Sequence, residues 1–148
     1  MDKAVSDLTA QALAEQVRDS MLATDAAARL LGLQVTAVSP TGATVTMTVR
    51  ADMLNGFGIC QGGLVTTLAD TAFAYACNAC NEMTVASGFD VNLLAPSRAG
   101  DVLTATASGV SQSGRVGLYD VDVRNQVGMR VASFRGRSYR LKGKPVVA

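Results

Sequence analysis

Residues 62–81 read Gly62-Gly63-Leu64-Val65-Thr66-Thr67-Leu68-Ala69-Asp70-Thr71-Ala72-Phe73-Ala74-Tyr75-Ala76-Cys77-Asn78-Ala79-Cys80-Asn81. The run is long enough for about five helical turns. It is apolar on nearly every side, which predicts one helix buried over most of its circumference. Only a curved sheet can cover such a helix, and the flanking sequence supplies the strands. Before it, Leu33, Val35 and Ala37 alternate with polar or small residues, Ser39-Pro40-Thr41-Gly42 makes a turn, and Val45, Met47 and Val49 alternate with Thr44, Thr46, Thr48 and Arg50. That is a hairpin. A loop over 52–61 follows. After the helix come extended segments near 84–95, 101–111, 116–126 and 129–142, with turns at Pro96 to Gly100, Ser111 to Gly114 and Val127-Gly128. Hairpin, buried helix and four consecutive antiparallel strands in a meander make an α+β pattern. The sheet wraps around the helix and leaves one edge or face for pairing with a second subunit.

Ahead of the hairpin, residues 7–22 carry Leu8, Ala12, Leu13, Val17 and Met21 at helical spacing, with Ser6 or Asp7 as the cap. Asp25 caps a second short helix through Leu31, and Gly32 stops it. Residues 1–23 are thus a helical extension to a single domain spanning 1–148, and residues from Gly143 form a loose tail. The 148 residues suffice for a sizeable core. Only 17% are charged, against the usual quarter, so part of the small surface is expected to be covered by other subunits. A net charge of +1 gives no whole-protein attraction to nucleic acid. Residues 1–90 hold four basic and nine acidic groups, residues 91–148 nine basic and three acidic. The basic half either faces an anionic ligand or makes solvated strand faces. No apolar stretch approaches ~20 residues without a polar interruption, so no membrane span is expected. The acidic N-terminus does not read as a signal peptide. Cys60, Cys77 and Cys80 are an odd set, which points to a reducing, cytoplasmic compartment. Cys77-Asn78-Ala79-Cys80 has redox spacing but closes a helix rather than opening one, and it reads as structural.

The chain has no histidine, which removes Ser-His-Asp, Cys-His and histidine-ligated metal chemistry together. What remains is Gly62-Gly63 and Asp70. First-turn N–H groups have no internal partners and carry the positive end of the helix dipole, so a glycine entrance can hold a carbonyl oxygen as it becomes an oxyanion. A buried carboxylate is costly unless paired or used. Asp70 is therefore either hydrogen-bonded to Thr66, Thr67 or Thr71, or chemically active. It lies ~12 Å along the axis and ~80° around it from Gly62. For both to touch one carbonyl, one must come from a neighbouring chain, which points to an interfacial site in a symmetric dimer. Asn55-Gly56 is either a plain turn or a place where a side-chain amide orients a carbonyl or a water.

The stretches Met53-Leu54-Asn55-Gly56, Cys60-Gln61-Gly62-Gly63 and Leu68-Ala69-Asp70-Thr71-Ala72-Phe73-Ala74-Tyr75-Ala76-Cys77-Asn78 closely resemble the hot-dog-fold acyl-coenzyme A thioesterases, nearest to the phenylacetate-degradation subfamily. Leu94-Ala95-Pro96-Ser97-Arg98-Ala99-Gly100-Asp101, Gly117-Leu118-Tyr119-Asp120-Val121 and Phe134-Arg135-Gly136-Arg137-Ser138-Tyr139-Arg140 look like the same subfamily. The resemblance covers roughly residues 24–142. It implies a hot-dog fold paired into dimers and doubled into a homotetramer. It implies hydrolysis of acyl-coenzyme A thioesters, aryl-acetyl ones by preference. Asp70 would be nucleophile or general base, Gly62 N–H would polarise the carbonyl, and Asn55 would position carbonyl or water. Where the family typically has His-Gly-Gly, this chain has Gln61-Gly62-Gly63; Gln61 can hydrogen-bond to orient the loop but cannot titrate near neutrality. Gly63, Arg98, and the Ser113, Gly114 and Arg115 turn are candidate substrate contacts, with Arg135, Arg137 and Arg140 as further phosphate candidates. No metal or bound cofactor is implied. The rival reading is a non-catalytic acyl-coenzyme A sensor on the same fold.

Overall fold

The computed structural model describes residues 9–148. Helix α1 spans Ala10–Leu22 and is capped by Thr9, whose side chain accepts from Ala12 N–H. The caps expected at Ser6 or Asp7 lie outside the described residues. Helix α2, Ala26–Leu31, has the expected Asp25 cap, and Gly32 ends it at φ 65°. The other Asp25 oxygen accepts from the Tyr75 hydroxyl at 3.0 Å, tying this segment to the central helix.

Strands β1 (Gln34–Ser39) and β2 (Gly42–Thr48) form the hairpin. The central helix α3 is Gly62–Asn78. It ends three residues earlier than its apolar pattern, because the buried Asn78 amide turns the chain. Its Nδ2 donates to Ala74 O and Thr84 O, and its Oδ1 accepts from Thr84 N–H. Strands β3 (Thr84–Leu93), β4 (Val102–Ser113), β5 (Val116–Arg124) and β6 (Arg130–Arg140) follow.

All six strands make one antiparallel sheet in the order β1-β2-β4-β5-β6-β3. This corrects the expected four-strand meander. Only β4, β5 and β6 run consecutively, while β3 crosses to the far edge and pairs with β6. The long helix between β2 and β3 spans the sheet's concave side and delivers the chain to that edge. Register shifts in β1, β3, β4 and β5–β6 add local twist that lets the sheet curve round α3. Leu68, Ala69, Ala72, Phe73 and Ala76 are buried against it. Phe73 meets the Tyr119 and Phe134 rings at 5.6 and 5.8 Å, and a fully buried ring contributes about 2–3 kcal/mol. This is the hot-dog architecture.

One further expectation is corrected. The segment from Gly143 is held rather than loose. Met83 N–H donates to Lys144 O, and Asn81 Oδ1 accepts from the Val146 and Val147 N–H groups. The basic half of the chain is mostly a set of ion-paired strand faces. Arg135 pairs with Asp120, Arg124 and Arg130 with Asp122, and Arg137 with Asp90. All three cysteines are free. Burial pushes the Cys77 thiol up to about 12, which keeps it protonated and unreactive, as the structural reading of Cys77–Cys80 requires. No helix among the described residues is long and apolar enough to cross a membrane.

Candidate active site

The loop before α3 is built on Asn55. Asn55 N–H donates to Ile59 O, and Gly58 N–H returns to Asn55 O. The side-chain Oδ1 accepts from Phe57 N–H at 2.9 Å and Ile59 N–H at 3.4 Å. The Asn55-Gly56 turn therefore forms, and it uses up the amide oxygen. The Nδ2 group makes no hydrogen bond among the described residues, so the amide that lines the cavity keeps a free donor. Leu54 bridges Cys60, Gln61 N–H donates to Met53 O, and Cys60 N–H donates to Ser97 O at 2.8 Å. These bonds sew the loop to the chain leaving β3.

Gln61 is the residue before the helix, and its carbonyl accepts from the Leu64 and Val65 N–H groups. Its side chain is exposed and makes no capping bond. The loop is thus held by the Gln61 backbone and not by its side chain, contrary to the role its amide was expected to play. Gln61→Ala should accordingly keep kcat/KM within about tenfold, the effect of at most one marginal hydrogen bond. A loss of a hundredfold or more would restore the side chain to the machinery.

Gly62 opens α3 beside Leu93. A Cβ at Gly62 would meet Leu93 Cδ1, so a larger residue here requires the Leu93 side chain to move aside. Gly63 has open space around it. A cavity of about 430 Å³ lies between the Asn55–Gly62 loop with Val65 on one side and the chain from Leu93 to Ser97 with Val131 on the other. It is mostly apolar, with the Asn55 amide and the start of α3 as polar features.

Asp70 does not line this cavity. The Thr66, Thr67 and Thr71 hydroxyls all donate to backbone carbonyls one turn back, at 2.8 to 2.9 Å. None reaches the carboxylate, so the reading of Asp70 as a threonine-paired core group fails. Asp70 is half-buried, without a hydrogen-bond donor among the described residues, and burial raises its pKa.

The substrate contacts expected from sequence divide into two groups. Arg98 follows Ser97, the last residue of the cavity wall, and its guanidinium has no carboxylate partner among the described residues. Ser113, Gly114 and Arg115 lie at the other end of the sheet. Leu93 pairs with Ala132 and Val116 with Tyr139, seven residues along β6, or about 23 Å. Arg115 stacks 6.0 Å from the Tyr139 ring centroid and also lacks a carboxylate partner among the described residues. Arg135 and Arg137 are occupied by acids, and Arg140 lies 3.8 Å from Glu82. One protomer therefore brings Asn55 and Gly62 to one cavity, with Arg98 one residue beyond its wall, and leaves Asp70 and the 113–115 turn elsewhere.

A family model described as the thioesterase superfamily matches residues 57–132. The chain belongs to that superfamily. Acyl-coenzyme A thioesterase PaaI of Escherichia coli (strain K12) is 47% identical over 124 residues, covering 84% of this chain and 89% of the relative. The structure of the E. coli PaaI protein from the phenylacetic acid degradation operon superposes with a TM-score of 0.90 at 44% identity, over 92% of this chain and 99% of that one. A hypothetical thioesterase from Streptococcus pneumoniae TIGR4, solved with coenzyme A, superposes with a TM-score of 0.72 at 25% identity, over 76% and 90% of the two chains. The superfamily match begins at Phe57 and includes Gly62 and Asp70.

The stretch from Leu94 to Ser97 carries part of the sequence resemblance, but its role with Leu93 and Val131 as the wall opposite Gly62 is visible only in the structure. Nothing local in an end-of-strand Leu-Leu-Ala-Pro-Ser marks it as a cavity wall; only the Gly62 contact does.

Proposed function

We propose that this protein hydrolyses acyl-coenzyme A thioesters, aryl-acetyl ones by preference, at sites shared between two subunits. The observation that carries the proposal is the cavity that gathers a donor-only Asn55 amide and the Gly62 N–H while an unpaired, half-buried carboxylate lies one chain region away. The relative named as an acyl-coenzyme A thioesterase supports the substrate class. The apolar cavity wall supports an aryl group.

β3 is a free edge strand of ten residues with Val85, Phe89 and Leu93 exposed on it. An exposed apolar edge of this length is a template for pairing with another strand. Antiparallel pairing with the β3 of a second copy sets the Thr84 end of one strand opposite the Leu93 end of the other. The second copy's 113–115 turn, which shares the Thr84 end, then reaches this cavity, and its Asp70 approaches from the adjoining helix. Both halves of the expected residue set converge in that arrangement.

In the reaction, the thioester oxygen accepts from Gly62 N–H at the positive end of α3. The Asn55 Nδ2 group donates to the carbonyl or to the attacking water. The Asp70 carboxylate either removes a proton from water, which adds to the carbonyl carbon, or attacks that carbon itself to give an acyl–Asp70 anhydride, which water hydrolyses after the thiolate has left to release the acid and restore the carboxylate. The C–S bond then breaks and coenzyme A leaves as a thiolate. A carboxylate raised by burial is a stronger base than an exposed one, which suits proton abstraction near neutral pH.

Thiol release from a panel of acyl-coenzyme A esters tests this reading. Turnover of phenylacetyl-coenzyme A above straight-chain esters is the expected result. Tight binding without thiol release would instead select the sensor. Shared sites are tested by mixing Asn55→Ala and Asp70→Asn chains. Each verified heterodimer should regain one intact site, and no recovery would put both residues in one chain.

A further inference from the structure

We propose that Leu93 selects the acyl group, acting as an apolar stop fixed against the residue that holds the carbonyl. The inference rests on the thioesterase reading above and extends it to acyl choice.

The argument begins at Gly62. The space where its side chain would project is filled by Leu93 Cδ1. A carbonyl oxygen held by Gly62 N–H at about 2.9 Å leaves the first acyl carbons within two or three bonds of that point. Leu93 lines the same cavity and stands beside them. The strand end that carries Leu93 is anchored, since Leu94 N–H and Ala95 N–H both donate to Val131 O at 2.8 and 3.3 Å. The position of the stop is therefore set by the sheet rather than by a mobile loop.

Among the other apolar groups around the cavity, Leu94 is as exposed as Leu93, at 55%, but only Leu93 fills the space beside Gly62. Val65 and Val131 are 3% and 2% exposed and belong to the core, so changing them costs stability first. Leu93 is 53% exposed in the protomer, yet it touches the glycine on which the chemistry turns. Its size can change without emptying the core. One to three carbons in an apolar pocket are enough to shift discrimination tenfold or more.

The test is kcat/KM for acetyl-, phenylacetyl- and naphthylacetyl-coenzyme A with wild type, Leu93→Ala and Leu93→Phe. Leu93→Ala should raise the naphthylacetyl-to-phenylacetyl ratio at least tenfold. Leu93→Phe should lower the phenylacetyl-to-acetyl ratio by a similar factor, with inhibition by free coenzyme A unchanged in both. Flat ratios in active variants overturn the role of Leu93 while leaving the thioesterase reading intact. Should Leu93→Ala lose all hydrolysis, Leu93→Met and Leu93→Phe carry the same comparison, and flat ratios there count equally against the proposal. A wild type that hydrolyses none of the three esters sinks the thioesterase reading, and this inference with it.

Discussion

Asp70→Asn is expected to lower kcat by about 10²–10⁴ or more while the fold and the oligomer persist. Asparagine matches the carboxylate in shape, so neighbouring packing is kept, but it neither accepts a proton nor attacks a carbonyl. Two pH effects accompany the loss. The wild-type rate should fall on the acid side as Asp70 is protonated, at a pH above the ordinary carboxylate value of 3.8, because burial raises this group. The stability effect has the opposite sense. A folded-state pKa above the unfolded one means that the folded chain binds the proton more tightly, so the ionised carboxylate weakens the fold at neutral pH. That penalty disappears as the pH falls through the folded pKa and below the unfolded one. Asp70→Asn should therefore melt above wild type at pH 7, with the gap closing toward pH 3. Full turnover in the variant would end its catalytic assignment, and a lower melting temperature at pH 7 would make it a structural carboxylate.

That combination of lost activity and gained stability is the mark of a group placed for chemistry. The Thr66, Thr67 and Thr71 hydroxyls, which could have paired with Asp70, are instead spent on the helix backbone. These back-bonds satisfy the threonines inside an apolar helix without drawing on the carboxylate.

The central helix and the strands were legible because their periodicities are strong: α3 is apolar all round, and β2 alternates residue by residue. The position of β3 was not legible. Alternation says which face of a strand is buried but not which strand lies beside it, and the crossover over α3 decides that. The ends of elements were misplaced where a single amide overrides the pattern. Asn78 stops the helix early by bonding Thr84, and Asn81, at φ 65°, holds the C-terminal segment. At the site, Gly62 and Asp70 stood out because glycine at a helix entrance and a carboxylate in an apolar run break local rules. Leu93 breaks no rule in sequence. Its role arises from a contact between residues thirty-one apart, which no local pattern records. The arginines were only partly legible, since whether Arg135 and Arg137 are free depends on Asp120 and Asp90 on neighbouring strands.

Asn55→Asp is the second substitution with a large expected effect, a fall in kcat of about 10²–10³. The two side-chain bonds that shape the loop both end on an oxygen, from the Phe57 and Ile59 N–H groups. A carboxylate accepts them equally well, so the loop should keep its form. What disappears is the Nδ2 donor, and a negative charge appears beside a carbonyl that is itself becoming negative. The loss should fall on kcat with KM little changed, because the donor matters most where charge develops. Asn55→Ala makes the complementary change. It removes the acceptor as well as the donor, so the Phe57 and Ile59 amides should exchange with solvent faster than in wild type, and KM should rise along with the fall in kcat. If Asn55→Asp turns over near the wild-type rate while Asn55→Ala is impaired, the amide is a brace for the loop and Gly62 alone carries the oxyanion.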